Sequence, residues 1–182
     1  RVNKCDMVAF SILDQFFKRT LHLAGKIKKQ YNLPIVVGGI HAILYPDECT
    51  SFADAICIGE GDISFAGLLQ NWDKRFEEIK SNFWLKKGKG FLKLPRDRLI
   101  QDLDSLPMPD FSYKNYYALL GKDIVYMNNT ENRIRIEHHQ IGHKNTIVYT
   151  CDRGCPNSCA YCYKRNLRKI YGCKGSEYVR VK

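Results

Sequence analysis

No stretch of this 182-residue chain approaches the roughly 20 consecutive apolar residues that a membrane-spanning helix needs. Its longest apolar runs, such as Leu33–Val37, are strand-sized. A secretory signal is also missing, and the first residue is Arg1 rather than methionine, so the true N-terminus is expected upstream. There is no internal repeat and no low-complexity tract. Disulfide-style spacing is lacking as well. Four of the eight cysteines fall between Cys151 and Cys162, while Cys5, Cys49, Cys57 and Cys173 are scattered. A small secreted disulfide domain would spread its cysteines and carry less aliphatic core. The clustering instead indicates metal binding in a reducing compartment, the cytoplasm.

Hydrophobic residues make up 45% and charged residues 26%, the balance of a folded chain rather than a disordered one. Lys and Arg number 29 against 19 Asp and Glu, a formal charge of +10. Such an excess can mark a nucleic-acid partner. Here the basic residues are dispersed, with only short runs at Lys26–Lys29 and Lys86–Lys89, so the charge reads as a solvated surface. Cys57, inside the apolar run Ala55–Ile58, reads as a buried small hydrophobe, and Cys5 and Cys49 are read the same way.

The first seventy residues alternate strand and helix patterns. Asp6–Ser11 is a short buried-strand pattern; from Asp14 to Tyr31 the period becomes helical, with Phe16, Thr20, Leu23 and Ile27 on one face. Asn32 closes that helix and Pro34 prevents its continuation. Pro34–Val37 forms a second strand ending in Gly38-Gly39, and Ala55–Ile58 a third ending in Gly59-Glu60-Gly61, followed by a helix over 62–71. Apolar strands each followed by a helix predict an α/β fold with a parallel sheet covered on both faces. Ligands of such sheets bind outside the carboxyl ends of the strands. Those ends carry Ser11-Ile12-Leu13, Gly38-Gly39 and Gly59-Glu60-Gly61. The glycines can serve as plain turns, or they can let backbone approach a bulky ligand; three small-residue ends in succession favour a ligand platform. Further on, Asn82–Lys93 reads as a hairpin around Lys87-Gly88-Lys89-Gly90, and Asp102–Asp110, with two prolines, as an extended connector pinned by Phe111, Tyr113, Tyr116 and Tyr117.

A short strand, Ile147–Thr150, leads into Cys151-Asp152-Arg153-Gly154-Cys155-Pro156-Asn157-Ser158-Cys159-Ala160-Tyr161-Cys162. Thiolates of Cys155, Cys159 and Cys162, separated by three and then two residues, can converge from one loop on three corners of a cubane cluster. Ordinary [4Fe–4S] clusters take four cysteines, so a three-cysteine loop leaves one iron open for chemistry. The competing reading is a structural zinc site completed by Cys151, Cys173 or a histidine. Zinc sites usually use two Cys-x-x-Cys pairs or a cysteine pair with a histidine pair, and neither follows here.

The Cys155-x-x-x-Cys159-x-Tyr161-Cys162 segment, after a strand and Arg153-Gly154-Cys155-Pro156, resembles the signature of the radical S-adenosylmethionine (SAM) enzymes. The N-terminal part resembles the cobalamin-binding domain found in one branch of them. Ser11-Ile12-Leu13, 24 residues, then Gly38-Gly39-Ile40-His41-Ala42 carry that likeness, together with Cys57–Asp62 and the connector Asp104–Asp110. The resemblance implies a [4Fe–4S] cluster on Cys155, Cys159 and Cys162, Tyr161 near the adenine of SAM, and reductive cleavage of SAM to a 5′-deoxyadenosyl radical. It implies cobalamin on Ser11, Leu13, Gly38, Gly39, Gly59, Glu60 and Gly61, and it points to methyl transfer. It further implies a flavodoxin- or ferredoxin-like electron donor and a small-molecule or peptide substrate.

Its domain reading is the C-terminal part of a Rossmann/flavodoxin-like cobalamin-binding domain over 1–72, a linker and hairpin region over 73–146, and the first strand and cluster loop of a radical SAM (β/α) barrel over 147–182. The family's Asp-x-His-x-x-Gly loop would precede Arg1 and its Gly-Gly-Glu element would follow Lys182. The chain is therefore expected to be cut at both ends and inactive by itself. His41 could touch cobalamin or serve as a hydrogen-bonded structural residue. A tRNA methylthiotransferase-like enzyme, with a second cluster on Cys5, Cys49 and Cys57, and a zinc-dependent nucleic-acid-binding module are the alternatives. The first lacks a recognisable second cluster loop; the second leaves the three strand ends without purpose.

Overall fold

Short apolar segments favour a sheet covered on both faces, and the central strands of the sheet are buried on both. In the computed structural model, which describes residues 4–71, 78–110, 116–127 and 150–181, Val8–Ser11 (β1), Ile35–Gly38 (β2) and Ala55–Cys57 (β3) run parallel in the order β1-β2-β3. The hairpin expected over 82–93 is present as Phe83–Lys87 (β4) and Gly90–Lys93 (β5). It adds to the same sheet, with β4 antiparallel to β3, so the sheet is mixed and five-stranded rather than purely parallel. The pairing of Cys57 with Phe83 and Ala55 with Leu85 explains why: each pair places one more apolar side chain on a face already buried.

Alternation along the strands sends side chains to two cores. Ile35, Val37 and Ile56 face the helix Phe17–Tyr31 (α1) together with Ala24 and Ile27. Val36, Ala55 and Cys57 face the helix Gly61–Gln70 (α4) through Leu68. Between β2 and β3 lie two short helices, Ile40–Leu44 (α2) and Pro46–Cys49 (α3). The buried stripe of α1 is Thr20, Ala24 and Ile27, with Phe17 partly buried at its start. Phe16 and Leu23, expected on that stripe, are exposed instead. A stripe through 17, 20, 24 and 27 follows the i, i+3, i+7 spacing of one helix face, and Leu23 stands to its side. Asn32 closes α1, as expected, and does so in the left-handed conformation (φ 52°) that asparagine tolerates. Lys28, near that end, pairs with Asp54 at 2.9 Å, and Asp54 also accepts the N–H of Ile35 at 2.8 Å.

The described chain divides into two units. One comprises residues 1–101 and 154–180; the other comprises 102–153 and 181–182. In the first, the helix Tyr163–Ile170 (α5) follows the cysteine segment. Leu167 of α5 packs with Ile43 of α2, Leu99 and Tyr178 in a third small core. In the second, Tyr117–Leu120 (β6) and Asp123–Tyr126 (β7) form an antiparallel hairpin with the rings of Tyr117 and Tyr126 stacked 4.8 Å apart. Its start is an Asx turn, in which Asp102 Oδ1 accepts the N–H groups of Asp104 and Ser105. Phe111, Tyr113, residues 147–149 of the expected strand, and His138, His139 and His143 lie outside the described residues. No described helix is long and apolar enough to cross a membrane.

Candidate cofactor-binding site

The carboxyl ends of β1, β2 and β3 come together, and two of their glycines, Gly39 and Gly59, answer to contacts inside the chain. The N–H of Ile12 donates to Gly38 O at 2.8 Å, and the N–H of His41 donates to Ile12 O at 3.1 Å. Gly39 sits between them at φ +88°; a Cβ there would stand 2.7 Å from Ile12 N and 2.9 Å from Ile12 O. At Gly59, a Cβ would collide with the side-chain amide of Asn82. Asn82 is itself buried at φ 61°, donating to Asp97 Oδ2 and Ser64 Oγ and accepting the N–H of Asp97. Gly38 has Cys57 Cβ at ordinary contact distance, and Gly61 opens α4 with nothing nearer than 3.9 Å. Ser11 is exposed, and Leu13 is 49% exposed.

Glu60, the remaining residue of the third strand end, is engaged. Its two carboxylate oxygens accept Nη1 and Nη2 of Arg180, each at 2.8 Å, and Oε2 also accepts the N–H of Ile100 at 2.9 Å. Arg180 Nη1 in turn donates to Ile100 O at 2.7 Å. The neighbouring Ile58 O accepts Nε of Arg96 at 2.6 Å, and the Arg96 guanidinium lies 5.5 Å from the ring centre of Tyr171, just past α5. The end of β3 is thus the anchor of the 154–180 segment.

A cleft of about 440 Å³ opens beside these ends, walled by Leu13, Ile40, His41, Leu44, Tyr45 and Tyr163. Tyr163 directly follows Cys162, so the chain enters the wall of the cleft just after the last cysteine. His41 is 2% exposed; its Nδ1 is 2.8 Å from Asp14 Oδ1 and its ring stacks on Phe17 at 4.2 Å. Its Nε2 lies 3.5 Å from Glu48 Oε2 without hydrogen-bond geometry and is shielded from solvent. The ring is therefore held from one side and packed from the other, as its expected structural role requires.

The cysteine loop is braced by the helix that follows it. Lys164 donates to Gly154 O at 3.2 Å, and Arg168 donates to Pro156 O at 3.0 Å and to Ser158 Oγ. Gly154 stands at φ +97°, and a Cβ there would run into the carbonyl of Tyr178, so the position requires glycine twice over. Cys155 and Cys162 are half-buried, Cys159 is exposed, and Tyr161 is 93% exposed. Among the described residues, no group of three or more His, Cys, Asp or Glu side chains is close enough together to hold a metal ion. The donor set itself suits an iron–sulfur cluster in type and number: three accessible thiols on one braced loop. Elsewhere, Cys49 and Cys57 are buried, as expected, and burial pushes the Cys49 thiol up to about 11, with Glu48 adding to it. Cys5, expected to be buried as well, is exposed.

The residues that sequence reasoning missed are those that act at long range: Arg180, Asn82, Arg96 and Tyr163. Asn82 alone left a trace, an asparagine at the start of a hairpin where a left-handed residue is common. Tyr171 adds a test of this anchoring. Its hydroxyl is buried and has no partner among the described residues, and burial, followed by the charge of Glu60, pushes it up to about 12. Leaving such a group unpaired costs about 1–3 kcal/mol. Tyr171→Phe, which keeps the ring over Arg96, is therefore expected to leave stability unchanged or to raise it by up to about 1 kcal/mol in urea titration. A loss larger than that would reveal a partner for the hydroxyl.

No protein-family model matches the chain. Over 159 residues, 87% of its length, it is 25% identical to bacteriochlorophyllide d C-8(2)-methyltransferase of Chlorobaculum tepidum. The chain spans 26% of that relative's length.

Proposed function

We propose that the protein is a radical SAM enzyme carrying out methyl transfer, with Cys155, Cys159 and Cys162 as the ligands of a [4Fe–4S] cluster. One observation carries this reading: the three cysteines stand at radical SAM spacing within eight residues, and Tyr163, directly after the last of them, lines the cleft at the sheet's carboxyl edge. Similarity to a methyltransferase over most of the chain supports the reaction class. A cluster with one open iron supplies, when bound, the electron that cleaves SAM.

The chain's own residues do the positioning. Lys164 and Arg168 hold the backbone carbonyls of Gly154 and Pro156 and the hydroxyl of Ser158, while Cys159 and Tyr161 stand exposed, able to face a ligand. Leu13, Ile40, Leu44, Tyr45 and Tyr163 give the cleft an apolar, aromatic wall of the kind that excludes water from a cofactor. Cobalamin is the ligand we assign to this edge of the sheet, where Leu13 is among the residues that line the cleft. Gly39 and Gly59 are filled against by the chain itself, so their part is to shape the strand ends that frame it.

The full-length protein, reconstituted anaerobically with iron and sulfide, is expected to hold about four irons per chain. The reduced cluster should give an electron paramagnetic resonance spectrum that changes when SAM is added. Alanine at Cys155, Cys159 and Cys162 together should remove the iron, whereas Cys151→Ala should keep it. Zinc in place of iron, or iron retained by the triple variant, would overturn the assignment. Absence of an absorbance change on adding hydroxocobalamin would remove the cobalamin part alone.

A further inference from the structure

Glu60 and Arg180 are 120 residues apart in sequence and meet in a two-bonded fork, with side chains 15% and 5% exposed. Ile100 closes the arrangement from the backbone, its N–H on Glu60 and its carbonyl on Arg180. Burying two charges costs desolvation that their attraction often fails to exceed, and an apolar pair is frequently the more stabilising choice. Arg180 Nε also stays without a partner among the described residues. A fork of fixed geometry gives something an apolar contact does not: one relative position of the two segments it joins.

What it joins follows from the chain. Tyr178, two residues before Arg180, presses its carbonyl against Gly154, and Gly154 immediately precedes Cys155. Lys164 and Arg168 tie the rest of the loop to α5, and Leu167 and Tyr178 seat that helix against Ile43 of α2. Moving Arg180 therefore moves Tyr178, and with it the support of the cysteine loop beside the cleft.

We propose that Glu60 and Arg180 are positioning residues, a pair that sets where the cysteine loop stands relative to the carboxyl edge of the sheet. Its spectroscopic consequence rests on the cluster assignment above; its mechanical consequence does not. In the full-length protein, Arg180→Lys keeps the buried charge, so the chain still folds, but a single ammonium cannot span both carboxylate oxygens and Ile100 O. Amide hydrogen exchange over 154–162 is expected to rise about tenfold, with exchange in β2 and β3 unchanged. Iron content should persist while the SAM-dependent change in the cluster spectrum shrinks or disappears. Glu60→Gln, which keeps hydrogen-bonding capacity, should show the same pattern more mildly.

Equal acceleration across the sheet and the loop would make the pair an ordinary stabiliser and overturn the proposal. Unchanged exchange over 154–162 would do so as well. If wild-type protein takes up no iron, the cluster assignment fails, and the exchange measurement still decides the role of the pair.

Discussion

Gly39→Ala is expected to destabilise the protein by about 2–5 kcal/mol, adding a glycine-restricted backbone conformation to an overpacked contact. Gly39 sits at φ +88° and ψ −178°, a region that residues with a Cβ scarcely enter. The added methyl would also stand 2.7 Å from Ile12 N and 2.9 Å from Ile12 O, and both are backbone atoms. Neither can retreat, because Ile12 N–H is bonded to Gly38 O and Ile12 O accepts His41 N–H. The neighbouring Gly38→Ala is the control. Its Cβ would meet only Cys57 Cβ at 3.4 Å, so a loss of about 1 kcal/mol or less is expected. Urea unfolding of both variants checks the contrast. If Gly39→Ala is as stable as Gly38→Ala, the glycine is not demanded by packing, and close approach of a ligand becomes its explanation.

That comparison bears on what a sequence can disclose about such a site. The second and third strand ends were visible because a glycine after an apolar run is a local signal, and so were Asn32 as a helix stop and the hairpin around Gly88. The cysteine motif was legible for the same reason, its three thiols falling within eight residues. What a local pattern does not contain is the reason for each residue. Glycine at 39 or 59 looks the same whether a ligand, a neighbouring backbone or a distant asparagine occupies the space beside it. Asn82 lies 23 positions from Gly59, and Arg180 lies 120 from Glu60. No periodicity links such positions, and only the fold brings them together. The antiparallel docking of the hairpin on β3 was hidden likewise, since a hairpin's alternation is satisfied by any sheet edge that accepts it. The misplaced face of α1 has another cause: Leu23, Ala24 and Ile27 lie on adjoining rows of one apolar face, and periodicity alone could not choose between the stripe through Leu23 and the one through Ala24.

Gly154→Ala is expected to have the largest effect on the cysteine loop itself. Gly154 stands at φ +97°, and a Cβ would fall on the carbonyl of Tyr178. That carbonyl is not free to give way, because Tyr178 is buried in the small core with Leu167, Ile43 and Leu99, and Arg180 is fixed on Glu60 two residues later. The loop must therefore leave its seat, and Lys164 loses its bond to Gly154 O as it does so. Gly172, also at positive φ but with open space around it, provides the comparison; alanine there should cost only the backbone penalty, about 1–2 kcal/mol. Full-length Gly154→Ala should lose most of the iron taken up by wild type and show faster amide exchange over 155–162, while Gly172→Ala should keep both near wild type. Wild-type iron content and exchange in Gly154→Ala would mean that the loop reaches a metal-holding arrangement without its contact to Tyr178. The cysteines would then be sufficient on their own, and the anchoring of 154–180 on the sheet would serve stability rather than the cluster.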